Sequence, residues 1–440
     1  MKAFHSRTFL SKAVSGSASH RLLRPHGPVI STGHQLSAAC QRDLPRIAWS
    51  RRAPVRAYSL DSEFTKPSKS NPRFAFAFDI DGVLLHVAKP IPGATDSLKF
   101  LLKHKVPFIL LTNGGGKSEA VRVADLQERL DVPELSVDNF VQSHTPFREL
   151  AEPLRDKAVL VTGSHPETCR AIAHEYGFRN VVTSADVLAA CPTVFPFQHL
   201  PLEDNDVTRA RPPLLWDPSQ GIKAVLVFND PRDWALDIQI ILDLLQSIDG
   251  VIGTYSPKNG KTMRNRGWQR HGEPKLYFSN ADMLWSAQYH LPRFGQGAFQ
   301  AAIGGVWEQL TGRRLRRHRY GKPFRPTYVY AERMLYAHRR SLLEGLSRKA
   351  DELKPLKRVY MIGDNPASDV LGAKHYKSGW GTEWVPILVR TGVYDEKREP
   401  YPPREAAVIV DDVEKAVAWA LEQEHWQIQP PMETATDTDT

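Results

Sequence analysis

Phe74-Ala75-Phe76-Ala77-Phe78-Asp79-Ile80-Asp81-Gly82-Val83-Leu84-Leu85 is an apolar run that breaks into two carboxylates one residue apart. An uninterrupted apolar segment ending in Asp and Gly predicts a buried parallel strand passing into a loop at its carboxyl end, the edge where open α/β sheets bind ligands. Residues two apart in an extended chain point the same way, so Asp79 and Asp81 would repel each other unless the chain turns or a cation binds. Asp and Gly are also the residues of an ordinary surface turn, and these residues alone leave both readings standing. An EF-hand calcium loop is excluded, because its Gly stands sixth with acids at alternate positions, whereas Gly82 is fourth and Val83, Leu84 and Leu85 follow.

Outward from this run, strand-like and helix-like segments alternate, which predicts an α/β fold with a parallel sheet. Helices are expected over 97–105, 118–130, 235–248, 299–310 and 328–349, and strands over 106–111, 158–162, 180–183, 224–228, 358–362, 387–389 and 407–410. The same punctuation recurs twice: apolar strands end at Thr112-Asn113-Gly114-Gly115-Gly116 and at Gly363-Asp364-Asn365-Pro366. A parallel sheet brings such strand ends to one edge. Asp79 then reads as a carboxylate nucleophile, Thr112 and the glycine-rich turn as an anion holder, and Asp364 as part of an oxygen-rich Mg²⁺ site. The chemistry this implies is phosphoryl transfer.

With these residues in view the chain resembles the haloacid dehalogenase superfamily. Asp79-Ile80-Asp81-Gly82-Val83-Leu84 resembles its first motif, Leu110-Leu111-Thr112-Asn113 the second, Gly321-Lys322-Pro323 the third and Gly363-Asp364-Asn365-Pro366-Ala367-Ser368-Asp369 the fourth. The resemblance spans about 71–425 and implies a Rossmann-like core, 71–139 and 316–428, interrupted by an α/β cap of the type IIA kind over 140–315. Val227-Phe228-Asn229-Asp230, Phe278-Ser279-Asn280-Ala281-Asp282 and Gly295-Gln296-Gly297-Ala298-Phe299 are similar to cap segments of that branch. Val141-Gln142-Ser143-His144-Thr145-Pro146-Phe147 is most similar to the mitochondrial hydrolase-domain proteins of the cat-eye-syndrome-critical-region type, fungal members included.

The resemblance implies roles residue by residue. Asp79 attacks phosphorus to form an aspartyl phosphate, and Asp81 protonates the leaving oxygen and then deprotonates water. Lys322 offsets negative charge, Thr112, Asn113 and Gly114 hold the phosphate, and Mg²⁺ is held by Asp79, the Asp81 carbonyl and Asp364, with Asp369 orienting that shell. An acid at 81 points to phosphatase or phosphomutase work rather than dehalogenation. Asn229 and Asp230 read equally as substrate contacts from the cap and as turn stabilisers. His144 and His165, with no partners at metal-ligand spacing, read as structural or surface histidines.

Composition limits the partners. The chain has 440 residues and a net charge of +9, but ten Lys or Arg against one acid, Asp43, fall in residues 1–60, and the remaining 48 basic and 48 acidic residues balance. That Arg- and Ser-rich, acid-poor segment reads as a mitochondrial transit peptide over 1–58, leading to the matrix through a linker at 59–70. The alternative is a disordered basic tail. The run Arg313-Arg314-Leu315-Arg316-Arg317-His318-Arg319 reads as a solvated connector between cap and core with some Arg facing an anionic substrate, not as a nucleic-acid site. Gly295-Gln296-Gly297 lacks the third glycine of a dinucleotide fingerprint. Three cysteines, Cys40, Cys169 and Cys191, allow no disulfide framework, no stretch has the length of a transmembrane span, and residues 429–440 read as a disordered tail.

The expected function is Mg²⁺-dependent hydrolysis of a small phosphorylated metabolite or a phosphorylated head group, with the homo-oligomer question left open. Two rivals remain at this stage. One is a non-catalytic scaffold of the same fold in mitochondrial phospholipid metabolism, and the other is a phosphotransferase whose acceptor is not water.

Overall fold

The computed structural model describes residues 64–65, 72–197, 216–285, 287, 289–343, 354–397 and 403–428. The expected transit peptide, most of the linker, the tail and Cys40 lie outside these residues. In chain order the main strands are β1 (Phe74–Phe78), β2 (Phe108–Leu111), β3 (Phe140–Val141), β4 (Ala158–Thr162), β5 (Asn180–Thr183), β6 (Ala224–Val227), β7 (Lys275–Phe278), β8 (His318–Arg319), β9 (Arg358–Gly363), β10 (Glu383–Val389) and β11 (Val408–Val410). The helices are α1 (Ala94–Lys103), α2 (Glu119–Leu130), α3 (Arg148–Leu154), α4 (Pro166–Tyr176), α5 (Ser184–Ala190), α6 (Trp234–Gln246), α7 (Gln296–Thr311), α8 (Arg325–Leu343), α9 (Leu371–His375) and α10 (Val413–Gln423).

Two parallel sheets result. The core sheet has the order β11-β10-β9-β1-β2-β3, with β1 central and in register Phe78↔Ile362 on one side and Phe78↔Leu110 on the other. All of its pairings are parallel. The alternation within β1 explains its place: Phe74, Phe76 and Phe78 pack with Leu98 and Leu101 of α1, Leu126 of α2 and Val417 and Leu421 of α10. Ala75 and Ala77 meet Tyr328, Ala331 and Leu335 of α8 on the opposite face. Every residue of β1 is buried. Large side chains fill the wide layer and alanines admit the close helix, so a strand apolar on both faces can only be internal.

The inserted domain is a second sheet of order β8-β7-β6-β4-β5, also all parallel. One face is covered by Ile240, Ile241, Leu244 and Leu245 of α6 with Phe299, Ile303 and Trp307 of α7. Ala151 of α3 and Cys169, Ile172, Ala173 and Tyr176 of α4 cover the other. Both domains are therefore three-layer α/β units.

Strand pairing shifts the domain boundaries read from the sequence. Phe140–Val141, expected to open the cap, pairs with Leu110–Leu111 at the edge of the core sheet. His318–Arg319, assigned to the core, pairs with Tyr277–Phe278 in the cap sheet. The chain thus crosses between domains within 142–147 and again at 320–322. Helix α4 was not foreseen, although it begins at Pro166 and ends at Gly177 in the left-handed region at φ 104°. Its buried stripe uses Cys169 and Ala173, which are weak apolar signals. No helix among the described residues is long and apolar enough to cross a membrane.

Candidate active site

Asp79 stands one residue beyond β1, where its N–H donates to the Ile362 carbonyl at 2.9 Å and closes the ladder to β9. Its Oδ1 accepts the Ile80 N–H at 2.8 Å and lies 2.9 Å from Lys322 Nζ. The Lys322 ammonium, with a side chain only 1% exposed, is also 2.7 Å from Asp369 Oδ1. Asp364 follows the last residue of β9, and its Oδ2 accepts the Val393 N–H at 2.7 Å. Carboxylate oxygens of Asp79, Asp364 and Asp369 all lie within 4.8 Å of one another.

Three carboxylates crowd together with one ammonium that, of the three, touches only Asp79 and Asp369, and the electrostatics show the strain. Burial first, then Asp79 and Asp369, push the Asp364 carboxyl well above the ordinary carboxylate range. Burial pushes Asp369 up to about 7 against the pull of Lys322. Burial alone would lower Lys322, but Asp369 and Asp79 outweigh it and hold the ammonium above its ordinary value. An all-oxygen donor set of this kind would suit a hard cation such as Mg²⁺. Asp79 Oδ2 and Asp364 Oδ1 accept no hydrogen bond among the described residues, whereas Asp369 has Oδ1 against Lys322 and Oδ2 on the Asn365 N–H at 3.1 Å. The residues therefore fit a cation held by Asp79 and Asp364, with Asp369 acting through Lys322.

Gly82 explains why the first motif needs a glycine at its turn. Its φ of +83° is strained for any side chain, and a Cβ there would stand 2.4 Å from Asp364 Oδ2. Asp81 lies outside the carboxylate trio, exposed as a whole residue although its carboxyl is crowded. The atoms crowded around its carboxyl, and next the Asp79 charge, raise it above its ordinary value. A methyl built on Gly114 would be 3.9 Å from Asp81 Oδ2 and 3.2 Å from Thr112 Oγ1, so these three residues face one space.

The glycine-rich turn is more committed than the sequence suggests. The Gly114 N–H donates to Thr112 Oγ1 at 2.9 Å, which leaves the threonine hydroxyl proton free for an anion but not the Gly114 amide. The Asn113 side chain clamps Lys322 from both sides, accepting its N–H at 2.7 Å and donating to its carbonyl at 2.9 Å. Its second amide proton goes to Asp282 Oδ1 at 3.0 Å. The Asn113 amide thus positions the lysine and has no proton left for phosphate.

Of the cap candidates, Asn229 is occupied: it accepts the Ser164 N–H at 2.9 Å and donates to Ser164 Oγ at 2.6 Å, with its amide against Gly116 of the core turn. This is the turn-stabilising alternative. Asp230 is half-buried, and its burial raises its carboxyl. Asp282 was overlooked as a functional residue although its segment was singled out. It binds Asn113 across the domain boundary, and burial pushes it up to about 6, countered by Lys322 and Asn113 and aided by Asp79 and Asp230. No sequence spacing links residues 113 and 282. Arg313 and Arg316 of the basic run line a separate cleft with Arg264 and Arg270, Arg319 stacks over Phe324 at 4.2 Å, and among the described residues no ion pair joins the run to Asp79, Asp364 or Asp369.

A family described as haloacid dehalogenase-like hydrolase matches residues 76–179, and one described as HAD-hydrolase-like matches 319–416. The chain is 40% identical over 379 residues to a Schizosaccharomyces pombe protein named cardiolipin synthase (CMP-forming) / mitochondrial hydrolase fusion protein, which takes in 85% of this chain but 58% of that one. It is 39% identical over 367 residues to the mitochondrial hydrolase YKR070W of Saccharomyces cerevisiae, covering 80% of this chain and 96% of that one. Among solved structures, hypothetical protein PH1952 of Pyrococcus horikoshii shares the fold at a TM-score of 0.50 and 17% identity, over 79% of this chain and 99% of that one.

Proposed function

This chain belongs to the haloacid dehalogenase-like hydrolases, and from that premise we propose that it is a Mg²⁺-dependent phosphoric monoester hydrolase of mitochondria. The observation that carries this reading is Asp81: a second acid, raised in pKa, on the open side of the buried Asp79–Lys322–Asp369 cluster and facing the Thr112–Gly114 turn. A cation bound at Asp79 and Asp364 would neutralise phosphate charge and align the ester. Asp79 attacks phosphorus, and Asp81, whose carboxyl is raised above its ordinary value by its surroundings, gives a proton to the leaving oxygen. Asp81 then takes a proton from the water that cleaves the acyl phosphate. Lys322 meets negative charge at the Asp79 carboxylate, and the Thr112 hydroxyl donates to a phosphate oxygen.

The cap favours a small ester over a phosphoprotein, since closure over the site excludes water and limits access. The Schizosaccharomyces pombe relative joins a mitochondrial hydrolase to a cardiolipin synthase in one chain, which supports a phosphorylated head group of phospholipid synthesis as the substrate class. The mitochondrial names of both relatives support the location, with the matrix proposed from the Arg-rich leader. Purified protein is screened with Mg²⁺ against a panel of phosphate esters, beside Asp79→Asn. Release of inorganic phosphate by the wild type alone is expected. Equal rates in the two proteins remove Asp79 as nucleophile, transfer of the phosphoryl group to an added alcohol identifies a phosphotransferase, and no turnover of any ester leaves the scaffold reading.

A further inference from the structure

Between the glycine-rich turn and the cap lies a buried polar chain that the proposed chemistry does not use. His144, fully buried, sits where the polypeptide leaves the core sheet, with Nδ1 2.7 Å from the Tyr176 hydroxyl at the end of α4 in the cap. Tyr176 donates its single proton to Glu119 Oε1 at 2.5 Å, so its oxygen must accept from the imidazole. That fixes the tautomer: Nδ1 carries the proton and Nε2 is a bare acceptor. The Gly116 N–H, 3.3 Å away, donates to it. Glu119, at the first turn of α2 in the core, is in turn held by the Thr145 hydroxyl at 2.9 Å and by Arg148 at 3.3 Å.

The same crossing segment grips the turn elsewhere. The Ser143 N–H donates to the Gly114 carbonyl at 3.1 Å, and the Gln142 amide to the Lys117 carbonyl at 2.9 Å. A Cβ on Gly115 would stand 2.6 Å from Ser143 Oγ and 3.0 Å from the His144 ring, so turn and ring are in direct contact. Each side of this contact belongs to a different part of the molecule: the turn faces Asp81, and Tyr176 belongs to the cap.

We propose that His144 is a positioning residue through which the seated cap holds the phosphate-binding turn in shape, with Tyr176 fixing the imidazole so that Nε2 accepts the Gly116 N–H. This rests on the reading that the Thr112–Gly116 turn receives phosphate. When the cap lifts, Tyr176 leaves with α4, the imidazole loses its fixed tautomer, and the turn loosens. Cap seating and phosphate affinity are then one equilibrium.

The test uses the full chain with Tyr176→Phe, His144→Ala and His144→Gln, the last able to accept the Gly116 N–H through its amide oxygen. Amide hydrogen exchange of the peptide spanning 112–118 is followed without substrate, and inhibition by inorganic phosphate is measured against an ester the wild type hydrolyses. We expect Tyr176→Phe and His144→Ala to exchange faster at 112–118 and to bind phosphate about tenfold more weakly with kcat moved less than twofold, and His144→Gln to recover most of both. Wild-type exchange at 112–118 in folded Tyr176→Phe overturns the proposal, as does faster exchange with unchanged phosphate affinity, or His144→Gln no better than His144→Ala. If the wild type cleaves no ester, it is the hydrolase reading that fails, and exchange together with phosphate binding by titration still decides the role of His144.

Discussion

At the scale of single residues, the buried ammonium of Lys322 is, among the described residues, the one ion-pair partner of Asp79 and Asp369. Removing one partner of a buried ionic group leaves uncompensated charge and costs about 3–5 kcal/mol. Lys322→Met is therefore expected to lower stability by an amount of that order in urea melts, and added Mg²⁺ to recover part of it. The same reasoning predicts that Mg²⁺ raises the melting temperature of the wild type, because only the folded state gathers Asp79 and Asp364, and that Asp364→Asn removes the shift. His144 supplies one part of the pH dependence, and His338, also lowered to about 4 by burial, supplies another of the same sign. Burial lowers the His144 pKa to about 4, with Glu119 opposing and Arg148 assisting, against about 6.5 when unfolded. Between these values this imidazole binds more protons in the unfolded chain than in the folded one, so its own contribution to stability is intact above pH 6.5 and falls by about 3 kcal/mol on acidification towards pH 4. Denaturant midpoints across that window should flatten in His144→Gln; an unchanged slope would assign the acid sensitivity elsewhere.

Among the elements, β1 shows how a strand and its following turn cooperate. Its phenylalanines and alanines face different helical layers, so a larger side chain at Ala77 meets α8 with no room to spare. Ala77→Leu is expected to cost about 1–3 kcal/mol by overpacking, read from chemical denaturation, while Val83→Ile in the same core should cost less. At the turn, Gly82→Ala combines a positive φ with a Cβ driven onto Asp364. Activity should fall on the order of a hundredfold with a smaller loss of stability, because the displaced carboxylate is one of the two proposed to hold the cation. The run Phe74–Leu85 announced this strand and turn plainly. The end of β3 was less legible: Phe140–Val141 is too short to have a period, and only its pairing with Leu110–Leu111 assigns it to the core. Helix α4 was missed for a related reason, since Cys169 and Ala173 bury well but mark a helical face weakly.

For the molecule as a whole, the contacts that matter join residues far apart in the chain. Asn113 reaches Lys322 and Asp282 across 209 and 169 residues, linking the core turn, the third motif and the cap. Asp282→Ala is expected to raise KM several-fold with little change in melting temperature, because one part-buried hydrogen bond between domains is lost while both cores persist; a matching loss of stability would mark Asp282 as structural instead. By itself the sequence determined the α/β class and the parallel order of strand ends, and it marked Asp79, Thr112 and Asp364 as candidates, since apolar runs and their polar ends are local signals carried by adjacent residues; Lys322 and the role of Asp81 came through the family resemblance. Tertiary structure alone decided that Asn113 clamps the lysine, that Asn229 serves Ser164, that Asp282 faces the site, and that His144 lies in a relay between cap and core. Those roles depend on which hydrogen-bond partner a buried polar group finds once the chain has closed, and no spacing along the sequence records that choice.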